Sequence, residues 1–338
     1  MKLKFAALCA PIAMLAACGG GDSAPPPTGG GGPTPSPSPS PSPTPSISYT
    51  AFDDLTGDQV FNTACAEGID IQRTNTIALF DEDFTFAFAA ASETWTIAGE
   101  SREGPINTSF GPADITEEDP GVLVLYQRPS PTGGPSEIFA FGTPQWPNAD
   151  PQYVRGAFLQ SERDNGSVAS FNCVFGVPTD LNDELPTSTV TYNQESEVFG
   201  SLLEITGPAG NEIFTSYDLA PTTMTVSADP TTLEVSFDID LRGFEVTFDA
   251  TTGDRIVSTD VTSFGVYTGE AFVSDEGKQT LRGGNLFRDG AVQLFAPATG
   301  WFFGPQGEEI GLVFTATEDI VPGGVRSFSF GMTGRQDP

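Results

Sequence analysis

Carboxylates dominate the residues that could do chemistry in this chain of 338 residues: 45 Asp and Glu stand against 14 Lys and Arg, and there is no histidine. Without imidazole there is no Ser-His-Asp triad, no Cys-His dyad, no HExxH zinc site and no histidine ligand for haem. Paired carboxylates remain, and hydrolysis between two of them would need carboxyl groups about 5–10 Å apart in an open cleft. Glu308 and Glu309 are adjacent, but they fall in a strand-like run where successive side chains point to opposite faces, which argues against a joint role. Asp81-Glu82-Asp83 and Glu117-Glu118-Asp119 offer oxygens to calcium. Neither has the glycine-containing spacing of a calcium loop, so both read as solvated turns. Tyr192 and Tyr267 are phenols that could ligate a haem iron in histidine's absence. Trp301, Phe302 and Phe303 offer stacking faces for a sugar or porphyrin, although in an alternating strand some of them must be core. No catalytic, metal or cofactor residue is assigned, the ligand-binding residues are unassigned, and the expected role is non-enzymatic.

Charge narrows the partners. A formal net charge of −31 and a pI near 4.1 exclude a surface that tracks phosphates, and with it nucleic-acid binding. So acidic a body is repelled by anionic lipid, so attachment to a membrane has to come from something other than charge.

The elements that must position these residues begin with an export signal. Residues 1–17 have a basic start, a short apolar run and small residues, too brief for a transmembrane span. Leu15-Ala16-Ala17-Cys18 resembles the lipobox of bacterial lipoproteins, which makes Cys18 the lipid-bearing first residue of the mature chain. Several acyl chains anchor far more firmly than one. Gly19 stands where inner-membrane retention typically uses Asp, so the outer membrane is expected. Residues 18–47 are Gly-rich and then Pro-Ser alternating, a disordered tether of polyproline type rising about 3.1 Å per residue.

Beyond it the chain is mainly β. Cys65 and Cys173 are the two cysteines left after processing, and in an exported chain they are expected to pair, within a first domain over residues 48–186. Strand signals there fall at 76–80, 84–89, 94–98, 122–127, 154–161 and 168–175. One helix is expected at 56–64, with Thr56 as cap and Val60, Phe61 and Ala64 on one face. Asp164-Asn165-Gly166 is a hairpin signal. After a polar break at 181–189, residues 187–338 alternate strongly: Leu233, Val235, Phe237 and Ile239 on one face, Glu234, Ser236, Asp238 and Asp240 on the other. Turn signals at 252–254, 275–277, 289–290 and 322–324 separate eight to ten antiparallel strands, enough to close into an eight-stranded barrel, greasy inside and acidic outside, hence soluble.

Residues 300–314, Gly-Trp-Phe-Phe-Gly-Pro-Gln-Gly-Glu-Glu-Ile-Gly-Leu-Val-Phe, resemble a signature of the transferrin-binding protein B family of bacterial surface lipoproteins. So do Ser109-Phe110-Gly111-Pro112-Ala113-Asp114, Tyr153-Val154-Arg155-Gly156-Ala157-Phe158 and Met332-Thr333-Gly334-Arg335. The resemblance covers about residues 48–338. It implies a β-rich handle domain followed by the barrel on a lipid-anchored stalk, in a single-lobe member. It further implies capture of a protein or small nutrient ligand at the cell surface, with a TonB-dependent receptor and a surface-lipoprotein exporter as partners. No ligand-binding residue carries over. A structural or adhesive envelope lipoprotein is the alternative.

Overall fold

The computed structural model describes residues 47–338 apart from 69–75, 103, 130–135, 163–167, 184–187, 208–212, 220–223, 230–231, 233, 249–254, 274–279, 291 and 321–323. The signal residues 1–17, Cys18, the tether through residue 46, the Asp164-Asn165-Gly166 hairpin signal, Leu233, the turn signals at 252–254 and 275–277 and residues 322–323 of the last turn signal lie outside the described residues. Ser46–Pro338 is one compact unit built on two antiparallel sheets.

The first sheet holds β1 (Gln59–Glu67), β2 (Ile77–Ala78), β3 (Phe84–Ala89), β4 (Thr94–Ser101), β5 (Gly104–Phe110), β6 (Ile115–Asp119), β7 (Leu123–Arg128), β8 (Glu137–Gly142), β9 (Val154–Glu162) and β10 (Val168–Gly176). Its order is β5-β4-β3-β1-β10-β9-β8-β7-β6, with β2 also on β1. The sheet curls into a half-barrel, the handle, around an aromatic core that includes Phe84, Phe86, Trp95, Phe139, Phe171 and Phe175. Its outer strands β5 and β6 are not paired with each other. Arg128 of β7 bridges the gap instead, donating to the Ser109 carbonyl at 2.6 Å and to Thr108 Oγ1 at 2.7 Å while lying over the Phe110 ring.

Two expectations fail here. The segment read as a helix at 56–64 is largely the strand β1. Its Val60 points to solvent while Phe61 is buried, and it is hydrogen-bonded on both edges, to β10 and to β3. Sheet pairing on both sides, and the cystine that fixes Cys65 opposite Cys173 with Cα atoms 4.1 Å apart, override a weak local helix pattern. Glu117-Glu118-Asp119 is not a turn but part of β6, an edge strand whose acids face water. Charged side chains on a free edge discourage pairing with another chain. Strands β5, β6 and β8 carry no expectation from the sequence.

The second sheet is a closed ring. It contains β11 (Val190–Thr191), β12 (Glu195–Thr206), β13 (Ile213–Leu219), β14 (Met224–Asp229), β15 (Glu234–Phe248), β16 (Arg255–Val273), β17 (Leu281–Arg288), β18 (Val292–Phe303), β19 (Glu309–Ile320) and β20 (Gly324–Arg335). Going round, β12, β13, β15, β16, β17, β18, β19 and β20 pair in chain order and β20 returns to β12. β14 continues the path of β13 along β15, and β11 pairs with β14. This is the expected eight-stranded barrel. Val235, Phe237 and Ile239 are buried, Phe237 meets Phe314 at 4.5 Å between ring centroids, and Asp238, Glu245 and Glu270 lie outside. Bulges in the β15–β16 pairing at Leu241/Arg242 and Phe244/Val246 bend these two long strands enough to close the ring.

Candidate functional site

Handle and barrel meet at a joint made by three of the four sequence stretches that carry the family resemblance. Gly304 adopts φ 71°, and a Cβ there would stand 2.3 Å from the Tyr153 ring. Pro305 then opens a short 3-10 turn, Pro305–Gly307, whose last carbonyl accepts the Tyr192 hydroxyl at 2.8 Å. Glu308 binds Arg335 at 2.6 Å. Glu309, fully buried, accepts three backbone N–H groups of the handle, from Gln152 at 2.7 Å, Tyr153 at 2.9 Å and Val154 at 2.7 Å. Burial pushes its carboxyl above the ordinary glutamate range and the three amides pull part of the way back. Gly311 leaves room for Val154 and Val174 to press onto the barrel wall beside Phe303. Asn172 and Ser329 add hydrogen bonds across the seam. These residues do structural work. The fourth stretch, residues 109–114, caps the handle core through Phe110 and an Asp114 carboxylate that accepts the Gly111 N–H at 2.8 Å.

The barrel lumen is filled by its own side chains. Phe314, Phe328 and Phe330 pack in its middle with Phe237 and Tyr267. One end is plugged by charge. Glu318 projects to the same face of β19 as Phe314 and is buried, and it accepts Arg288 Nη1 at 2.8 Å and a second bond from Arg326. Arg326 also holds Glu204 at 2.7 Å and lies over the Phe264 ring. Burial, with Glu318 alongside, pushes the Tyr267 phenol up to about 12.

Outside the lumen, a cleft of about 310 Å³ opens between the outer face of β7, β8 and β9 and the barrel strand β12. Leu123, Ala140 and Phe158 form its handle wall and Phe199 its barrel wall. Phe199 sits there because Gly156 and Gly331 leave space on either side of its ring. Among the described residues the one charged group lining the cleft is Glu197, whose Oε2 accepts the Gln145 N–H at 2.6 Å. Burial pushes that carboxyl up, with only this amide opposing.

The remaining sequence candidates fall in the scaffold. Trp301, Phe302 and Phe303 are all buried, Trp301 donating to the Thr179 carbonyl at 3.0 Å and Phe303 packing on Phe80 of the handle. They offer no stacking face. Tyr192 and Tyr267 are buried and hydrogen-bonded. Asp83 of the first acidic triplet accepts the Leu79 N–H, and the described residues contain no group of three His, Cys, Asp or Glu able to hold a metal ion. Nothing in the local pattern singles out Glu197, Phe199, Glu318 or Arg326, because what distinguishes them is their neighbours from distant strands.

No family model matches the sequence, and no curated protein does. Solved structures do. Transferrin-binding protein B from Haemophilus parasuis is 12% identical over 83% of this chain and 46% of that one, with a TM-score of 0.42, and a second structure of it is 8% identical over 77% and 55%, with a TM-score of 0.35. The chain thus spans about half of each. HpuA from Kingella denitrificans, solved with human haemoglobin, is 13% identical over 86% of this chain and 90% of that one, with a TM-score of 0.34.

Proposed function

We propose that this protein is a non-enzymatic lipoprotein of the outer membrane, displayed on the cell surface, that captures a protein or small nutrient ligand with its outer surface. Cys18 carries the lipid, the Gly/Pro/Ser-rich residues 18–47 form the leash, residues 48–186 the handle and residues 187–338 the barrel. A TonB-dependent receptor takes the ligand onward and a surface-lipoprotein exporter delivers the protein. The observation that supports capture at the outer surface is the filled lumen: Phe237, Phe314, Phe328 and Phe330 occupy its middle and the Glu318–Arg326 pair one end, so a ligand has to be met by the walls and loops.

The test is protease shaving of intact cells followed by pull-down with the shed body. Shaving of the wild type, retention in the membrane lost in Cys18→Ala, and a saturable partner are expected. A protein cut only after lysis would overturn surface display. Binding to matrix or to itself alone would favour the adhesive role.

A further inference from the structure

The cleft between handle and barrel combines a greasy wall with one carboxylate that its own surroundings leave poorly compensated. Phe158, Leu123 and Phe199 supply the wall and Glu197 the charge. Among the described residues no lysine or arginine lines the cleft. Arg155 lines a smaller hollow that adjoins the cleft at Leu123 and Gly142, and it is engaged by Asp53 at 2.8 Å and the Val154 carbonyl at 2.8 Å. A carboxylate drawn out of water and held by a single amide is costly unless a cation arrives. Three more deeply buried acids have what this one lacks: Glu318 has Arg288 and Arg326, Glu137 has Arg128, and Glu309 has three amides.

We infer that this cleft takes a lysine or arginine side chain, presented beside an apolar residue on the surface of the captured protein. The chemistry fits at three points. The methylene stem of a basic side chain lies well along apolar walls while its charged end reaches a carboxylate. A volume of about 310 Å³ is at the lower end for ligand sites and accommodates one long side chain with part of a neighbour. A body of formal charge −31 draws basic surfaces toward it before contact. The inference rests on the capture role proposed above and names the feature a captured protein would offer.

The test titrates the Ser46–Pro338 unit within the full chain with hexapeptides that contain a Leu-Lys step, and with the same peptides carrying norleucine in place of lysine. The methyl signal of Ala140, in the cleft wall, reports occupancy by NMR. The lysine peptide is expected to shift it and the norleucine peptide to bind at least about tenfold more weakly. Glu197→Gln should weaken lysine-peptide binding by a similar factor, and Ala140→Trp, which fills the cleft, should abolish it by calorimetry, both variants melting as the wild type does. Equal binding of the two peptides, or unchanged binding to Glu197→Gln, would overturn the inference. Butylamine binding as tightly as the peptide would overturn it too, by making this a site for free amines. A saturable partner that Glu197→Gln captures undiminished refutes the cleft and leaves capture standing. A lysine peptide that seats while no partner is ever captured refutes capture and leaves a basic-side-chain site.

Discussion

Two glutamates lie where handle meets barrel, and they are held in opposite ways. Glu309 is fully buried and takes three amide N–H groups from consecutive residues of the handle. Glu197 is half-buried in an apolar cleft and takes one. Burial pushes both carboxyls up, so titration alone would not tell them apart. Their partners do: a carboxylate that saturates three donors is part of the frame, and one left with spare acceptor capacity in a cleft is free to meet something else. The difference teaches that at this seam the number of donors, rather than the depth of burial, separates holding from binding.

The sharpest way to break that contrast is Glu309→Ala. It takes the acceptor from the Gln152, Tyr153 and Val154 N–H groups, of which the last is buried and the others part-buried, and each orphaned donor is costly, so a loss of about 3–5 kcal/mol is expected. Guanidinium unfolding of the purified chain measures it. A loss under about 1 kcal/mol would mean that water serves these amides as well as the carboxylate does, and the joint would need another explanation.

Gly304→Ala probes the same joint from the backbone. The residue sits at φ 71°, and its Cβ would stand 2.3 Å from Tyr153. An added methyl must move the ring or the chain, at a cost of about 2–3 kcal/mol in the same unfolding experiment. A neutral result would show the Gly-Pro corner to be looser than its packing on Tyr153 implies.

Legibility in the sequence follows the same division. The barrel could be read because Val235, Phe237 and Ile239 alternate with acids, and period 2 leaves one arrangement that buries the apolar face. The joint could be read as a set of motifs, since Gly304, Pro305, Glu309, Tyr153 and Arg335 are residue types forced by close approach and hydrogen bonding, although nothing in their order says that they meet. The strand β1 was hidden because Val60, Phe61 and Ala64 fit a helical face as well as a sheet, and only pairing with β3 and β10 decides. Edge strand β6 was hidden because a run of acids reads as loop until Leu123, Val124 and Leu125 are placed across from it. The cleft was out of reach altogether: Glu197 lies in an ordinary alternating strand, and its surroundings come from β7, β8 and β9, far away in the chain.

The smallest expected effect is the most discriminating, and it concerns Glu197→Gln. Glu197 has a folded pKa above the ordinary 4.5, so folding favours its protonated form. Its contribution to stability is therefore fully present below the unfolded value and is lost as pH rises through the folded one. At pH 7 the wild type carries an ionised group that the fold disfavours. The glutamine variant keeps an acceptor for the Gln145 N–H without that charge, so it should be as stable as the wild type or more stable by about 0.5 kcal/mol. Lowering the pH toward the ordinary glutamate value should close the gap, because the wild-type carboxyl then becomes neutral as well. Unfolding curves at pH 7 and near pH 4 give both numbers. If Glu197→Gln instead loses about 2 kcal/mol at pH 7, the carboxylate is a strut like Glu309 and the contrast between the two glutamates collapses. If it gains stability while losing the lysine peptide, Glu197 is retained at a cost in folding that only a bound cation explains.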